Sequence, residues 1–163
     1  MASTPGNDPL TVRRLRCPDD PSDQSALLDL RARVLRPGQP VERSRFAGDD
    51  DPRAVHLGAF RGERCIGVAS LLPEGGPDAL RLRGMAVEPE ARGRGIGAAL
   101  LTEIHRIAVE RGRDLWCNAR LAAVGFYEKA GWTVEGDVFE LPDIGPHYVM
   151  RWKRPAPAKP SHR

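Results

Sequence analysis

Along the chain, apolar residues recur at alternate positions in some stretches and at every third or fourth position in others, and the switching between the two predicts the elements. Leu10, Val12 and Leu15 alternate with polar residues over 10–16, a first strand that Pro18 ends. Ser22 is then expected to cap a helix carrying Ala26, Leu27, Leu30 and Val34 on one face, stopping before Pro37-Gly38. Residues 36–52 read as a long irregular segment with a short helix near 41–46, a candidate substrate lid because loops of that length are often functional.

Three β-like runs follow at 54–61, 64–72 and 79–87, parted by Gly62-Glu63 and the Pro73 to Pro77 turn cluster, which predicts an antiparallel meander. After Pro89 the spacing becomes helical: Ile96, Ala99, Leu100, Ile104, Ile107 and Ala108 share one face as far as Gly112. A short strand at 115–118, a helix at 121–130 ended by Gly131, and a final strand pair at 132–141 and 147–152 complete the order β α β β β α β α β β. The fold class is α/β (α+β), one mixed and mostly antiparallel sheet flanked by helices.

At 163 residues there is room for one domain, expected over 10–153, between a small polar tail at 1–9 and a Pro-rich basic tail at 154–163. Hydrophobic residues at 40% and charged residues at 29% exclude wholesale disorder and fibrous repeats. The longest apolar runs, Cys65 to Leu72 and Ile96 to Leu101, fall far short of the ~20 residues needed to cross a bilayer, and no secretory leader is visible. A cytoplasmic location without membrane attachment is expected.

Cys17, Cys65 and Cys117 are widely spaced and form no CxxC pair, and no His spacing suits a metal, so neither a disulfide framework nor a metal site is expected. The 25 basic and 22 acidic residues are interspersed, and aromatics are only 6% of the chain. That argues against a nucleic-acid partner and leaves a modest bias toward acidic or phosphorylated ligands.

The informative segment is Met85-Ala-Val-Glu-Pro-Glu-Ala-Arg92-Gly93-Arg94-Gly95-Ile96-Gly97-Ala98, a glycine-rich turn between a strand and a long helix. Free N–H groups and the positive helix end converge there, and an anion can approach closely where Cβ atoms are missing. A nucleoside-triphosphate loop is excluded because no Lys-Ser or Lys-Thr follows. A dinucleotide turn fits locally, but three antiparallel strands stand upstream in place of a βαβ start.

The third pattern, [Q/R]xxGx[G/A], is met by Arg92-Gly-Arg-Gly95-Ile-Gly97. Here the chain resembles the GNAT superfamily of acyl-CoA-dependent N-acyltransferases. The resemblance continues through Asn118 to Phe126-Tyr127-Glu-Lys-Ala-Gly131-Trp132, similar to that family's FYxxxGF segment. It implies acetyl-CoA as co-substrate and an amine acceptor. It also implies that the backbone of Arg92, Gly93, Arg94, Gly95, Ile96, Gly97 and Ala98 holds the pyrophosphate, while Met85, Ala86 and Val87 pair with pantetheine. Tyr127 matches the tyrosine that protonates the departing thiolate. The position of the family's usual cofactor asparagine is Arg120 here, which makes nearby Asn118 the candidate.

The base is the open position. Phe139-Glu140-Leu-Pro-Asp143-Ile-Gly-Pro-His147 resembles the closing hairpin of a small bacterial branch, with Ile-Gly-Pro-His in place of Gly-Ile-Pro-His. His147 is the first candidate, since imidazole is the usual side chain for proton transfer near neutral pH; Glu140 and Asp143 are second choices, as base or as ammonium anchor. Arg36, Arg43 and Arg45 are candidates for a carboxylate or phosphate on the acceptor, Asp49 to Asp51 read as a solvated loop, His56 and His105 as structural, and Cys117 as a core thiol. The expectation is acetyl transfer to a primary amine, a small molecule ahead of a protein, by direct attack in a ternary complex, with a homodimer built on the final strands conceivable. The alternatives are a non-catalytic acyl-CoA sensor, a dinucleotide-dependent oxidoreductase, and a structural or partner-binding protein.

Overall fold

The structure, a computed structural model, describes residues 7–157, so most of both expected tails lies outside it. Strands β1 (Leu10–Leu15), β2 (Val55–Arg61), β3 (Arg64–Leu72), β4 (Ala79–Val87), β5 (Asp114–Arg120), β6 (Thr133–Leu141) and β7 (Gly145–Trp152) form one sheet in the order β1-β2-β3-β4-β5-β7-β6. Helices α1 (Pro21–Leu35), α2 (Ile96–Arg111) and α3 (Val124–Lys129) cover it. Every neighbouring pair is antiparallel except β4 with β5.

Strand alternation sends successive side chains to opposite faces and divides the core in two. Leu27 and Leu30 of α1 pack with Leu15, Phe60, Val68 and Ala86 on one face. Ile96, Leu100 and Ile104 of α2 pack with Leu57, Ala69, Leu71, Leu82 and Leu115 on the other, where Tyr127 and Trp132 join them.

Several element ends differ from the sequence reading, three of them near the site or with a clear physical cause. Asp20, not Ser22, caps α1, accepting from the N–H groups of Ser22 and Asp23 at 2.9 and 3.2 Å. Pro21 takes the first helical turn, where its missing N–H costs nothing, and the cap lies two residues upstream of the expected one. Strand β5 extends to Arg120 because its last residues pair with β7, Arg120 opposite His147. The helix expected at 121–130 is a 3-10 turn over Leu121–Ala123 followed by the short α3.

Two irregularities open the sheet. Strands β4 and β5 pair at only three positions, the last being Arg81 with Trp116. Just beyond, the register of β4 on β3 shifts, with Ser70 opposite Arg83 but Val68 opposite Ala86. Gly84 sits in this bulge at φ +68°, a conformation that side chains resist. A Cβ there would stand 3.0 Å from the Phe46 ring and 3.1 Å from Arg31 Nε. The bulge bends β4 away from β5, and the divergence is the cleft.

Candidate active site

The opening between β4 and β5 is a cleft of about 810 Å³ that reaches both faces of the sheet. Met85, Ala86 and Val87 form one wall and Cys117, Asn118 and Ala119 the other. Backbone groups of β4 beyond Arg81 that face β5 have no strand partner there, so an extended ligand with amide groups can pair with them.

At the mouth lies the glycine turn. Gly95 is the N-cap of α2 at φ +79°, with no side chain capping the helix, and the first backbone N–H groups of α2 have no helical acceptor. A Cβ placed on Gly93 or Gly95 would meet nothing within 4 Å. The turn therefore offers free donors, the positive end of a 16-residue helix, and open space. Those features fit a pyrophosphate. Gly93, Gly95, Ile96, Gly97, Ala98 and Arg92 all line the cleft, whereas Arg94 turns away and is exposed.

Tyr127 enters the cleft from α3 and is 6% exposed, wedged by the Phe126 and Trp132 rings with centroids 5.1 Å away. Burial, and then the adjacent Cys117 thiol, push the phenol well above its ordinary range. Burial likewise pushes Cys117 up to about 12. Both groups keep their protons at neutral pH.

His147 approaches from the other face. It is 3% exposed, lines the cleft, and donates from Nδ1 to the Gly145 carbonyl at 2.8 Å, since a carbonyl can only accept. In the neutral ring that fixes the tautomer and leaves the Nε2 lone pair available. Glu140 is not brought into the site. Phe139 pairs with His147 and Glu140 with Pro146, so alternation sends the Glu140 side chain to the opposite face, exposed and outside the cleft. Asp143, the third candidate, is exposed at φ +65° in the β6–β7 turn and does not line the cleft either.

The segment between α1 and β2 walls the cleft on the α1 side. Of the three arginines singled out there, only Arg36 lines it; Arg43 and Arg45 are exposed outside. The sequence reading missed Arg31, whose side chain is fully buried and holds Asp49 through two hydrogen bonds of 2.7 and 3.1 Å. Arg31 also donates to the Ser44 carbonyl and Ser70 Oγ, and lies over the Phe46 ring. Burial would raise the Asp49 pKa, but the bond and charge of Arg31 outweigh it and leave it lowered. Asp49 is thus an anchor and not part of a solvated loop. The trace in sequence was a charged residue one helical step after Leu27, on the apolar face of α1.

His56 continues this network, Nδ1 to Ser70 Oγ at 2.6 Å and Nε2 to the Asp49 carbonyl at 2.9 Å. His105 accepts from Trp132 Nε1 at 2.9 Å and stacks on Trp152. Both are bound up in structure. Among the described residues no cluster of side chains suits a metal, and no helix is long and apolar enough to cross a membrane.

A family model described as the acetyltransferase (GNAT) family matches residues 20–132. The uncharacterized N-acetyltransferase YitI of Bacillus subtilis (strain 168) is 37% identical over 128 residues, covering 75% of this chain and 86% of that protein. Among solved structures, a putative N-acetyltransferase from Lactobacillus plantarum superposes with a TM-score of 0.76 at 20% identity, covering 90% of this chain and 99% of its own. An aminoglycoside 6'-N-acetyltransferase complexed with coenzyme A superposes with a TM-score of 0.75 at 17% identity, covering 91% and 99%. At those identities the superpositions speak for the fold alone.

Proposed function

The chain belongs to the GNAT family and is an acetyl-CoA-dependent N-acetyltransferase; on that premise we propose that it acetylates a primary amine of a small molecule by direct attack, with Tyr127 and His147 on opposite sides of the reacting centre. The observation that carries the reading is the cleft itself. It joins a phosphate-binding turn, an unpaired strand edge, a buried phenol on the α2 face and a histidine on the α1 face.

In this reading the donors of residues 93–98 hold the pyrophosphate, and Met85, Ala86 and Val87 take the pantetheine amides through their main chain, with Asn118 opposite. A backbone N–H near Met85 or Ala86 receives the carbonyl oxygen as it gains charge, which is the largest single contribution available at such a site. The thioester supplies the acetyl group. The amine nitrogen forms a bond to the carbonyl carbon, the carbon–sulfur bond breaks, and the electron pair leaves with sulfur.

Protons move at two atoms. An alkyl ammonium of pKa ~10 costs about 4 kcal/mol to deprotonate at neutral pH. The Nε2 lone pair of His147 takes that proton, directly or through water. The Tyr127 hydroxyl, kept protonated by burial, donates to the departing sulfur and is restored by the second proton that the nitrogen sheds as the amide forms. A Cys117 thiol pushed up to about 12 is a poor nucleophile, which supports direct attack over an acetyl-enzyme.

The dinucleotide alternative loses its basis, because the strand before the turn belongs to an antiparallel meander and not to a βαβ unit. An acetyl-CoA-dependent reaction and three unpaired thiols suit a cytoplasmic location. Calorimetric titration with acetyl-CoA, free CoA and a nicotinamide dinucleotide tests the first step, followed by thiol release with a panel of amines. Selective acetyl-CoA binding and intersecting initial-velocity lines are expected. A parallel-line pattern with an isolable acetyl-enzyme would overturn direct attack.

A further inference from the structure

Five arginines line the cleft (36, 81, 83, 92 and 120), and among the described residues no aspartate or glutamate does. Arg92 stands at the glycine turn and is accounted for there. Arg81 is answered from outside the cleft by Glu74 at 2.9 Å. Arg36 and Arg83 make no ion pair or side-chain hydrogen bond among the described residues, yet both are only partly exposed.

Their placement is not that of ordinary surface cations. The guanidinium of Arg83 lies 4.4 Å from the centre of the Phe46 ring and that of Arg36 5.9 Å from it, while Arg31 occupies the same ring at 4.1 Å. Three like charges thus crowd one aromatic side chain, and the two carboxylates nearest them are already engaged, Asp49 in both its oxygens by Arg31 and Glu74 by Arg81. A half-buried guanidinium held over a ring, without an anion, is placed to receive an oxyanion. Burial and the neighbouring Arg81 charge lower the pKa of Arg83, as expected for a cation short of a counter-charge.

The cluster sits on the α1 side of the cleft, which the acceptor must enter if the thioester occupies the glycine-turn side. We propose that the acceptor is a small amine that also carries an oxyanion, a carboxylate or a phosphate, which Arg83 and Arg36 bind beside Phe46 while its amine points to the reacting centre. This rests on the N-acetyltransferase reading above and names its substrate class. It sets the chain apart from any enzyme whose acceptor is a polycation, because several ammonium groups would meet Arg36, Arg81, Arg83 and Arg120 with no carboxylate to receive them.

The test uses the full-length protein and thiol release with matched pairs: α-amino acids and short peptides against their carboxamides, and O-phosphorylated amino alcohols against the free alcohols, with a polyamine as the cationic arm. A preference in kcat/KM of ~100-fold for the charged member of one pair type is expected, and the pair type that shows it separates carboxylate from phosphate. Arg83→Gln should shrink that preference at least tenfold and leave the calorimetric Kd for acetyl-CoA unchanged, which also shows that the variant is folded. Arg83→Lys should recover part of it.

Equal turnover of charged and neutral members, or preference for the polyamine, would overturn the inference and leave the acetyltransferase reading intact. If no amine turns over, binding of the same pairs to the protein–CoA complex decides: preference for the charged member, lost in Arg83→Gln, sustains the inference, and its absence overturns it. Failure to bind acetyl-CoA at all strikes the underlying reading instead.

Discussion

Arg31 and Asp49 close a two-pronged ion pair, 2.7 and 3.1 Å, between the buried face of α1 and the segment leading into β2. The same guanidinium lies 3.1 Å from where a side chain on Gly84 would begin. One residue therefore fixes the acceptor-side wall and underlies the bulge that opens the cleft.

Removing one partner of a buried pair leaves the other charge uncompensated. Arg31→Met should cost about 3 kcal/mol in urea unfolding, and Arg31→Lys should recover only part, since an ammonium cannot serve Asp49, Ser44 and Ser70 in one plane. A double-mutant cycle with Asp49→Asn checks the pairing. A loss within ~0.5 kcal/mol for Arg31→Met would show that the network is dispensable.

Gly84→Ala asks for a left-handed conformation and a Cβ 3.0 Å from Phe46. A loss of about 1–3 kcal/mol is expected, with KM for the acceptor rising more than the Kd for acetyl-CoA, because Phe46 belongs to the acceptor wall.

For Tyr127→Phe, the packing against Phe126 and Trp132 is kept and only the hydroxyl is lost. The catalytic rate should fall ~100-fold or more with acetyl-CoA affinity unchanged. Cys117→Ala should retain most of the rate, since its thiol is buried and protonated. The reverse ranking would transfer the chemistry to Cys117.

His147→Ala should lower the catalytic rate and abolish the acid limb of the kcat/KM profile. Glu140→Gln, on the other face of the hairpin, should leave the profile in place. Rates and profiles of the two variants, measured together, separate the candidates.

Burial lowers the His56 pKa below the ordinary imidazole value, and Asp49 adjacent to it only partly offsets this. Below pH ~6.5 the unfolded chain therefore takes up a proton that the folded chain refuses, so stability falls as the pH drops through that window and is fully restored above it. His105, lowered by burial as well, adds in the same direction. Denaturant midpoints between pH 5 and 8 should show the decline, and His56→Gln should flatten part of it.

The periodicity of apolar residues was enough for the element order, the meander, the long helix and the glycine turn, because each depends on neighbours within a few residues. The turn and the Phe126-Tyr127 pair were enough for the family and its co-substrate. What needed tertiary structure was everything that depends on which face a side chain takes. Glu140 and His147 stand in one short hairpin segment, but the register of β6 on β7 sends them to opposite sides. Arg31 looks like a surface helix residue until α1 is laid over Ser70 and Gly84, elements distant in sequence. Arg36, Arg83 and Phe46 come from three separate segments and meet only when α1, its following loop and β4 pack together. Local spacing determined the chemistry the chain can carry out; the pairing of distant strands and the burial of one arginine decided what the cleft can admit.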